Sequence, residues 1–442
     1  MSTTDLLPPL EVGTPDSGGS GPDEWAKSPA RSFAELVMAI AVIVVLAIAT
    51  GSGDLLIFIA SIIVIVMVHE LGHYLAAKHG GMKVTEYFLG FGPRLWSFRR
   101  GETEYGVKAL PLGGYVKIPG MTNLDEVDPE DEVRTYRQKP FHARLLVAVA
   151  GSAMHFIMAF VLLWALLVFV GVPNGTQVQV QQVNAVGGQP GPAQVGGVRA
   201  GDIVVSIDGK AIDGDSNRLS TAIRSHPGQP LTVVVDRGGV DKTLTVTPAN
   251  GRVRHEAGVV APSGTAPYGV IGVSLGSPNE RTGPVHALAS TGNGLVHVTW
   301  ASIQGVVHLF SPRSVAQRFD QVGSAKAANQ AAANGTRARS IVGVVRTGDQ
   351  ALQAGIGDYL VILITLNIFF GVFNLFPMLP LDGGHVAIAI YEKIRTGRSK
   401  VLYHADAAKL MPFAWIMLVF LAVLVGTALL TDIFHPMANP FG

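Results

Sequence analysis

Hydrophobic residues gather into five long stretches, at about 34–50, 55–77, 145–171, 356–379 and 411–431. Each approaches the ~20 residues an α-helix needs to cross ~30 Å of hydrocarbon, so each predicts a membrane span. Only Thr50-Gly51-Ser52-Gly53-Asp54 separates the first two, which predicts a tight turn between antiparallel helices. The first stretch is at the short end for a span, so 33–77 is read as two transmembrane helices, the first an extra one. The fourth is read as one transmembrane helix over 356–390, and the last as the span and tail 411–442.

Between the third and fourth spans the period changes. Positions 176–183 alternate polar and apolar, and turn signals follow at Gly187-Gly188 and Pro190-Gly191-Pro192. A strand over 202–208 ends in the Asp208-Gly209 turn, and 231–235 pairs by pattern with 243–246. Positions 217–225 read as a short helix between them. Together 172–280 read as a β-rich module. The next segment, 281–355, is rich in Ala, Gly, Gln and Asn, with an amphipathic stretch at 296–309. It reads as a linker holding either helices on the membrane surface or no fixed structure. Residues 1–32 mix Pro, Gly and Ser with Asp5, Glu11, Asp16, Asp23 and Glu24, so they read as a disordered tail and not as a cleavable signal peptide.

Charge gives the spans a direction. Lys and Arg are retained on the cytoplasmic side. Eleven of them lie in 78–144, Lys27 and Arg31 precede the first span, and Lys393, Arg395, Arg398 and Lys400 fall in the 391–410 loop. Five spans put all three segments on one side. The expected fold is therefore a polytopic α-helical membrane protein of four core spans plus an extra N-terminal one. It carries a cytoplasmic membrane-associated β-hairpin region at 78–144, a span at 145–171 and an extracytoplasmic β module. Composition agrees: of 442 residues 48% are hydrophobic and 15% charged, and mean hydropathy is +0.36. A net charge of +1 gives no field for nucleic acid. Without cysteine there is neither a disulfide framework nor a thiolate metal ligand.

The second span ends in Val68-His69-Glu70-Leu71-Gly72-His73. Helical residues four apart share a face, so His69 and His73 can turn both imidazoles to one ion. Glu70 can then reach a water on that ion and take its proton. Zinc in a catalytic site takes a third protein ligand and leaves one position open. The bland alternative is that these three residues mark an interfacial helix end, where polar groups reach water. The fourth span supplies the third ligand. It runs Asn374-Leu375-Phe376-Pro377-Met378-Leu379-Pro380-Leu381-Asp382-Gly383-Gly384-His385, and its two prolines break the helix. Lipid tolerates freed carbonyls only where they are buried in protein or line a cavity. Under the charge-derived topology Asp382 comes to the depth of His69 and His73. His385 reads as a loop histidine, and the acidic run 125–132 as a solvated loop.

The paired motifs His69-Glu70-x-x-His73 and Asn374-x-x-Pro377 with Leu381-Asp382-Gly383 resemble the site-2 protease family of intramembrane zinc metalloproteases. The likeness extends to Phe91-Gly92-Pro93 and Gly113-Gly114-Tyr115-Val116-Lys117, which are similar to the family's membrane-associated β-hairpin. Gly151-Ser152-Ala153-Met154-His155 is similar to its small-residue motif, with His155 where many members have Asn. Gly191-Pro192-Ala193, Gly197 to Val204 and Ile207-Asp208-Gly209 resemble a bacterial PDZ domain, used either to bind chain ends or to exclude intact substrates. The resemblance implies a Zn2+ enzyme with Glu70 as catalytic base and Asn374, Pro377, Gly113 and Gly114 as substrate contacts. Its partners would be single-span proteins in the plasma-membrane bilayer, such as anti-sigma factors or remnant signal peptides. A non-catalytic PDZ scaffold, or a membrane-anchored metalloprotease acting on soluble substrates, are the competing readings.

Overall fold

The computed structural model describes residues 29–121, 125–186, 188–251, 268–399 and 403–437. Helix α1 (Pro29–Ala49) and helix α2 (Gly53–His79) form the expected antiparallel start, turning at Thr50–Ser52. Nearly every side chain of α1 is exposed, and its Phe33 ring meets Trp96 at 5.2 Å. A helix apolar all round with no buried face suits lipid on most sides.

Two long antiparallel strands follow, β1 (Glu86–Arg100) and β2 (Thr103–Lys117). Both bend, so the first half of β1 pairs with two parts of β2: Phe88 lies opposite both Gly106 and Tyr115. The result is a small folded sheet whose last segment, 114–117, lies against α2. Below it Met82, Val84, Ile118 and Tyr136 close a core with Ala76, Ala77 and Val147. The acidic run is more tightly engaged than a solvated loop: Asp131 pairs with Lys83 and Glu132 with Arg137. Helix α3 (Phe141–Ala165) then packs on α2, and a single π-turn (Leu166–Val170) ends it at Gly171.

The segment after α3 is a β module. Its strands are β3 (Val172–Pro173), β4 (Val178–Val183), β5 (Ile203–Ile207), β6 (Lys210–Ala211), β7 (Leu231–Asp236), β8 (Asp241–Val246), β9 (Ala249–Asn250), β10 (Gly269–Val270), β11 (Val273–Gly276) and β12 (Asn279–Glu280). The main sheet runs β11-β4-β5-β7-β8 with β6 beside β5, and every pairing is antiparallel. Helices α4 (Pro192–Val195) and α5 (Ser216–Ser225) complete the module. Val178, Val180, Val204, Ile207, Leu231, Val233 and Val235 alternate inward and pack on Leu219 and Ile223 of α5. A period of two on one buried face is what fixes such a register.

Residues 281–355 hold four helices, one of the two alternatives the sequence left open for this segment. They are α6 (Pro284–Leu309), α7 (Pro312–Gly323), α8 (Ala325–Ala333) and α9 (Ile341–Ala354). Helix α6 packs on α3 and on the following helix α10 (Ile356–Asn374), burying Ala287, Thr291 and Val306. The span read over 356–390 is broken at its two prolines. Its chain leaves the helix after Asn374, turns through 375–381 and restarts as α11 (Asp382–Ser399). Pro377 and Pro380 lack the N–H groups a continuous helix requires. The last helix, α12 (Ala407–Phe434), packs chiefly on α7 and α9.

Among the described residues, five helices are long and apolar enough to cross a membrane: Ala30–Ala49, Gly53–His79, Phe141–Val170, Ile356–Asn374 and Ala408–Phe434. With the sheet regions between them they make a multi-pass membrane architecture. The α2, α3 and α10 helices form its centre, where Phe58, Ile65, Tyr359 and Leu363 make one core and Ala159, Leu166, Ile364 and Ile368 another.

Candidate active site

Helix α2 runs unbroken through the His-Glu-x-x-His sequence, so His69 and His73 sit one turn apart on one face. Their Nε2 atoms are 3.2 Å apart. The Asp382 Oδ2 atom lies 3.5 Å from Nε2 of His69 and 3.3 Å from Nε2 of His73. Two sequence segments more than 300 residues apart thus bring three ligand-type atoms to one point.

The spacing fits a particular kind of ion. Tetrahedral zinc with bonds of about 2.0–2.1 Å places its ligand atoms about 3.3 Å from one another. The protonation pattern fits as well. Nδ1 of His73 is 2.8 Å from the carbonyl of Val147, which can only accept, so the ring proton is on Nδ1 and Nε2 presents a lone pair. Asp382 Oδ2 is buried and has no hydrogen-bond partner. Lone pairs gathered in this way repel each other and suit a shared cation.

Three features hold these three side chains in place. On α3, Gly151 faces the two imidazoles. A Cβ there would stand 2.4 Å from both His69 Cε1 and His73 Nε2, so only glycine leaves room for the rings. Asp382 is placed by the break in the fourth span, at the first residue of α11. Gly383 lets the chain fold back, since a Cβ there would meet the carbonyl oxygens of Leu375 and Phe376 at 2.3 Å. Further along α11, Glu392 forms a buried ion pair with Arg144 of α3 and accepts the backbone N–H of Ala405.

Glu70 points to the folded sheet. A Cβ on Gly114 would lie 3.2 Å from Glu70 Cγ, and Tyr87 donates to the carbonyl of Met67 at 2.7 Å. The edge segment 114–117 therefore passes directly over the acid. Gly113 is next to it, against the Phe91 ring. The other two residues expected at the site stand further off. Asn374 ends α10 half-buried and Pro377 is exposed in the break, and neither hydrogen-bonds to His69, Glu70, His73 or Asp382.

Val147 and Asn367 carry no signal in the sequence, whereas Gly151 and His155 belong to the small-residue motif; His155 and Asn367 form a buried pair whose Nδ1 and Oδ1 are 3.2 Å apart. His385 lies in the first turn of α11 and not in a loop, with its ring 6.5 Å from Tyr136. Gly151 and His155 are four apart in one apolar helix, a spacing that marks a shared face without saying what the face meets.

Comparison with known proteins agrees with this geometry. The model of peptidase family M50 matches residues 57–419. The zinc metalloprotease Rip1 of Mycolicibacterium smegmatis is 34% identical over 423 residues, covering 88% of this chain and 98% of that protein. Rip1 of Mycobacterium tuberculosis is 32% identical over 416 residues, covering 87% and 98%. The zinc metalloprotease RasP of Shouchella clausii is 25% identical over 448 residues, covering 84% and 97%. On the extent of the family match and of these relatives, the chain belongs to peptidase family M50.

Proposed function

We propose that this peptidase is a zinc metalloendopeptidase that cuts peptide bonds inside the membrane-spanning segments of single-span proteins. The observation that carries the reading is the triangle of His69, His73 and Asp382 atoms, the two histidines on a helix long and apolar enough to cross a bilayer and the aspartate just past the end of another. Zinc held there would polarise a scissile carbonyl and lower the pKa of a bound water.

The chain's own groups do the rest. Glu70, beside the ligands, accepts the proton of the attacking water and delivers it to the leaving amine. A helical substrate hides its carbonyls in hydrogen bonds, so it must unwind before attack. The edge segment 114–117, lying over Glu70, offers backbone groups for pairing an extended chain, which would hold the unwound stretch at the acid. Asn374 and Pro377 stand near the start of the break, where they would touch a longer stretch of that chain.

Charge counting supports a cytoplasmic position for the 78–144 and 391–410 segments. The site then lies toward the cytoplasmic face of the plasma membrane, and the β module lies outside. The module's five-strand path with α5 against it suits a PDZ domain, which would either bind chain ends or keep intact substrates out. Substrates already trimmed on the outer side, such as anti-sigma factors or remnant signal peptides, fit that arrangement, and the enzyme would act in regulated intramembrane proteolysis.

The test is cleavage of a co-expressed single-span substrate by the Glu70→Gln variant. Loss of products that end inside the substrate's span, with zinc retained, is expected. Undiminished cleavage by a zinc-loaded Glu70→Gln protein would overturn the assignment.

A further inference from the structure

The two histidines of the site are held in different ways. His73 is oriented by the hydrogen bond from its Nδ1 to the Val147 carbonyl. His69 is held less closely, for its buried Nδ1 faces the backbone of Gly151 without making a hydrogen bond of ordinary geometry. A metal-ligating histidine ordinarily donates its second ring N–H to a neighbour, which fixes ring orientation and tautomer. A packing contact can supply the restraint that this looser contact lacks.

Packed against that ring is His155. The two centroids are 4.9 Å apart with planes inclined at 41°. His155 is 3% exposed and projects from the same face of α3 as Gly151, one turn earlier. It is itself fixed from behind by α10. Asn367 is fully buried, and its Nδ2 donates to the Leu363 carbonyl at 2.9 Å. That leaves Oδ1 as the acceptor facing His155 Nδ1 at 3.2 Å. The proton of His155 is then on Nδ1, and its Nε2 keeps a lone pair. The Phe370 ring, 6.0 Å away, and Gly371 close the other side of the seat; a Cβ on Gly371 would stand 3.2 Å from His155 Cβ.

We propose that His155, locked by Asn367, is the positioning residue for the metal ligand His69, acting by ring-on-ring packing where His73 is held by the hydrogen bond to the Val147 carbonyl. The ring restricts His69 on the side that Gly151 leaves open. Asn367 acts through His155, and α10 thereby takes part in holding a ligand on α2 through a residue of α3. The inference rests on the zinc reading of the site, because it assigns a task that only a metal ligand needs.

The experiment uses the full-length protein in detergent and measures zinc affinity by competition with a chelator. His155→Ala is expected to weaken zinc binding by about 10–100-fold, as removal of an outer partner of a metal ligand ordinarily does. Asn367→Leu should weaken it in the same direction, and the double variant should lose little more than His155→Ala alone, since both act through one contact. Cobalt-substituted protein gives a second readout, independent of the amount folded: the visible absorption bands of the bound cobalt should shift in His155→Ala. Unchanged zinc affinity and unchanged cobalt bands in His155→Ala would overturn the inference, even if the variant were less stable. So would full additivity of the two substitutions. Failure of the wild-type protein to bind zinc would instead overturn the zinc reading itself.

Discussion

At the scale of single residues, Gly151 shows how narrowly the site is built. A methyl group there meets both imidazoles at 2.4 Å, and neither ring can retreat without leaving Asp382. Overpacking of this kind costs about 1–3 kcal/mol. Gly151→Ala should therefore bind zinc roughly tenfold or more weakly, measured by chelator competition. Gly371→Ala, where the added methyl meets its neighbours at 3.2 Å, should have a smaller effect. The two histidines and Glu70 were legible in the sequence because their relation is local: a helix fixes the four-residue spacing whatever surrounds it. Gly151 and His155 were marked only by likeness to the small-residue motif, without a task at the site, and Asn367 was not marked at all. Their meaning depends on which face α3 turns to α2 and α10, a relation between distant segments that no periodicity within α3 encodes.

At the scale of elements, Asp382 is only as well placed as α11. That helix starts at the ligand and is tied to α3 ten residues later by the buried Arg144–Glu392 pair, whose side chains are 9% and 5% exposed. Removing one partner of such a pair strands a buried charge and costs about 3–5 kcal/mol, whereas replacing both with apolar groups costs much less. Arg144→Met and Glu392→Met should each lower the thermal unfolding midpoint and the zinc content of the purified protein. The double variant should recover much of both. A double variant worse than either single one would contradict the account. The break that frees Asp382 from the fourth span was legible, since Pro377 and Pro380 forbid a continuous helix. The restart as a separate helix was not. Residues 281–355 were hard to read for another reason. Helix α7 buries Ser314, Arg318 and Gln321 and exposes Phe319, the reverse of the usual amphipathic pattern.

At the scale of the whole molecule, the chain combines membrane helices with a β module whose stability has its own chemistry. In the module Asp202 is buried and accepts two bonds of 2.7 Å from Arg237 and one of 2.8 Å from the Arg199 amide. Burial pushes its carboxyl up, but these donors more than offset it and hold the group below the usual carboxylate range. A carboxyl depressed in the folded state stabilises above its unfolded value, about 3.9, and loses that contribution as pH falls through the folded value. Hydrogen-exchange protection of the β4, β5 and β7 strands, once corrected for intrinsic rates, should thus stay level from pH 7 to 5 with respect to this group. Asp202→Asn should lower it throughout that range.

Orientation also belongs to this scale, and the lack of native cysteine makes it easy to probe. A membrane-impermeant maleimide applied to intact cells should label Val240→Cys, on an exposed turn of the module, and reach Arg100→Cys only after permeabilisation. The reverse pattern would contradict the charge-derived topology. Span positions and sidedness could be argued from the sequence because length and Lys/Arg placement answer directly to the bilayer. How the spans pack, and hence which of them meet at the metal, could not.

The account depends most on three atoms from α2 and α11 sharing one zinc ion. Metal content of the purified full-length protein tests that directly. About one zinc per chain is expected for the wild type and for Glu70→Gln, with clear loss in His69→Ala, His73→Ala and Asp382→Ala. Zinc content in Asp382→Ala equal to that of the wild type would contradict it.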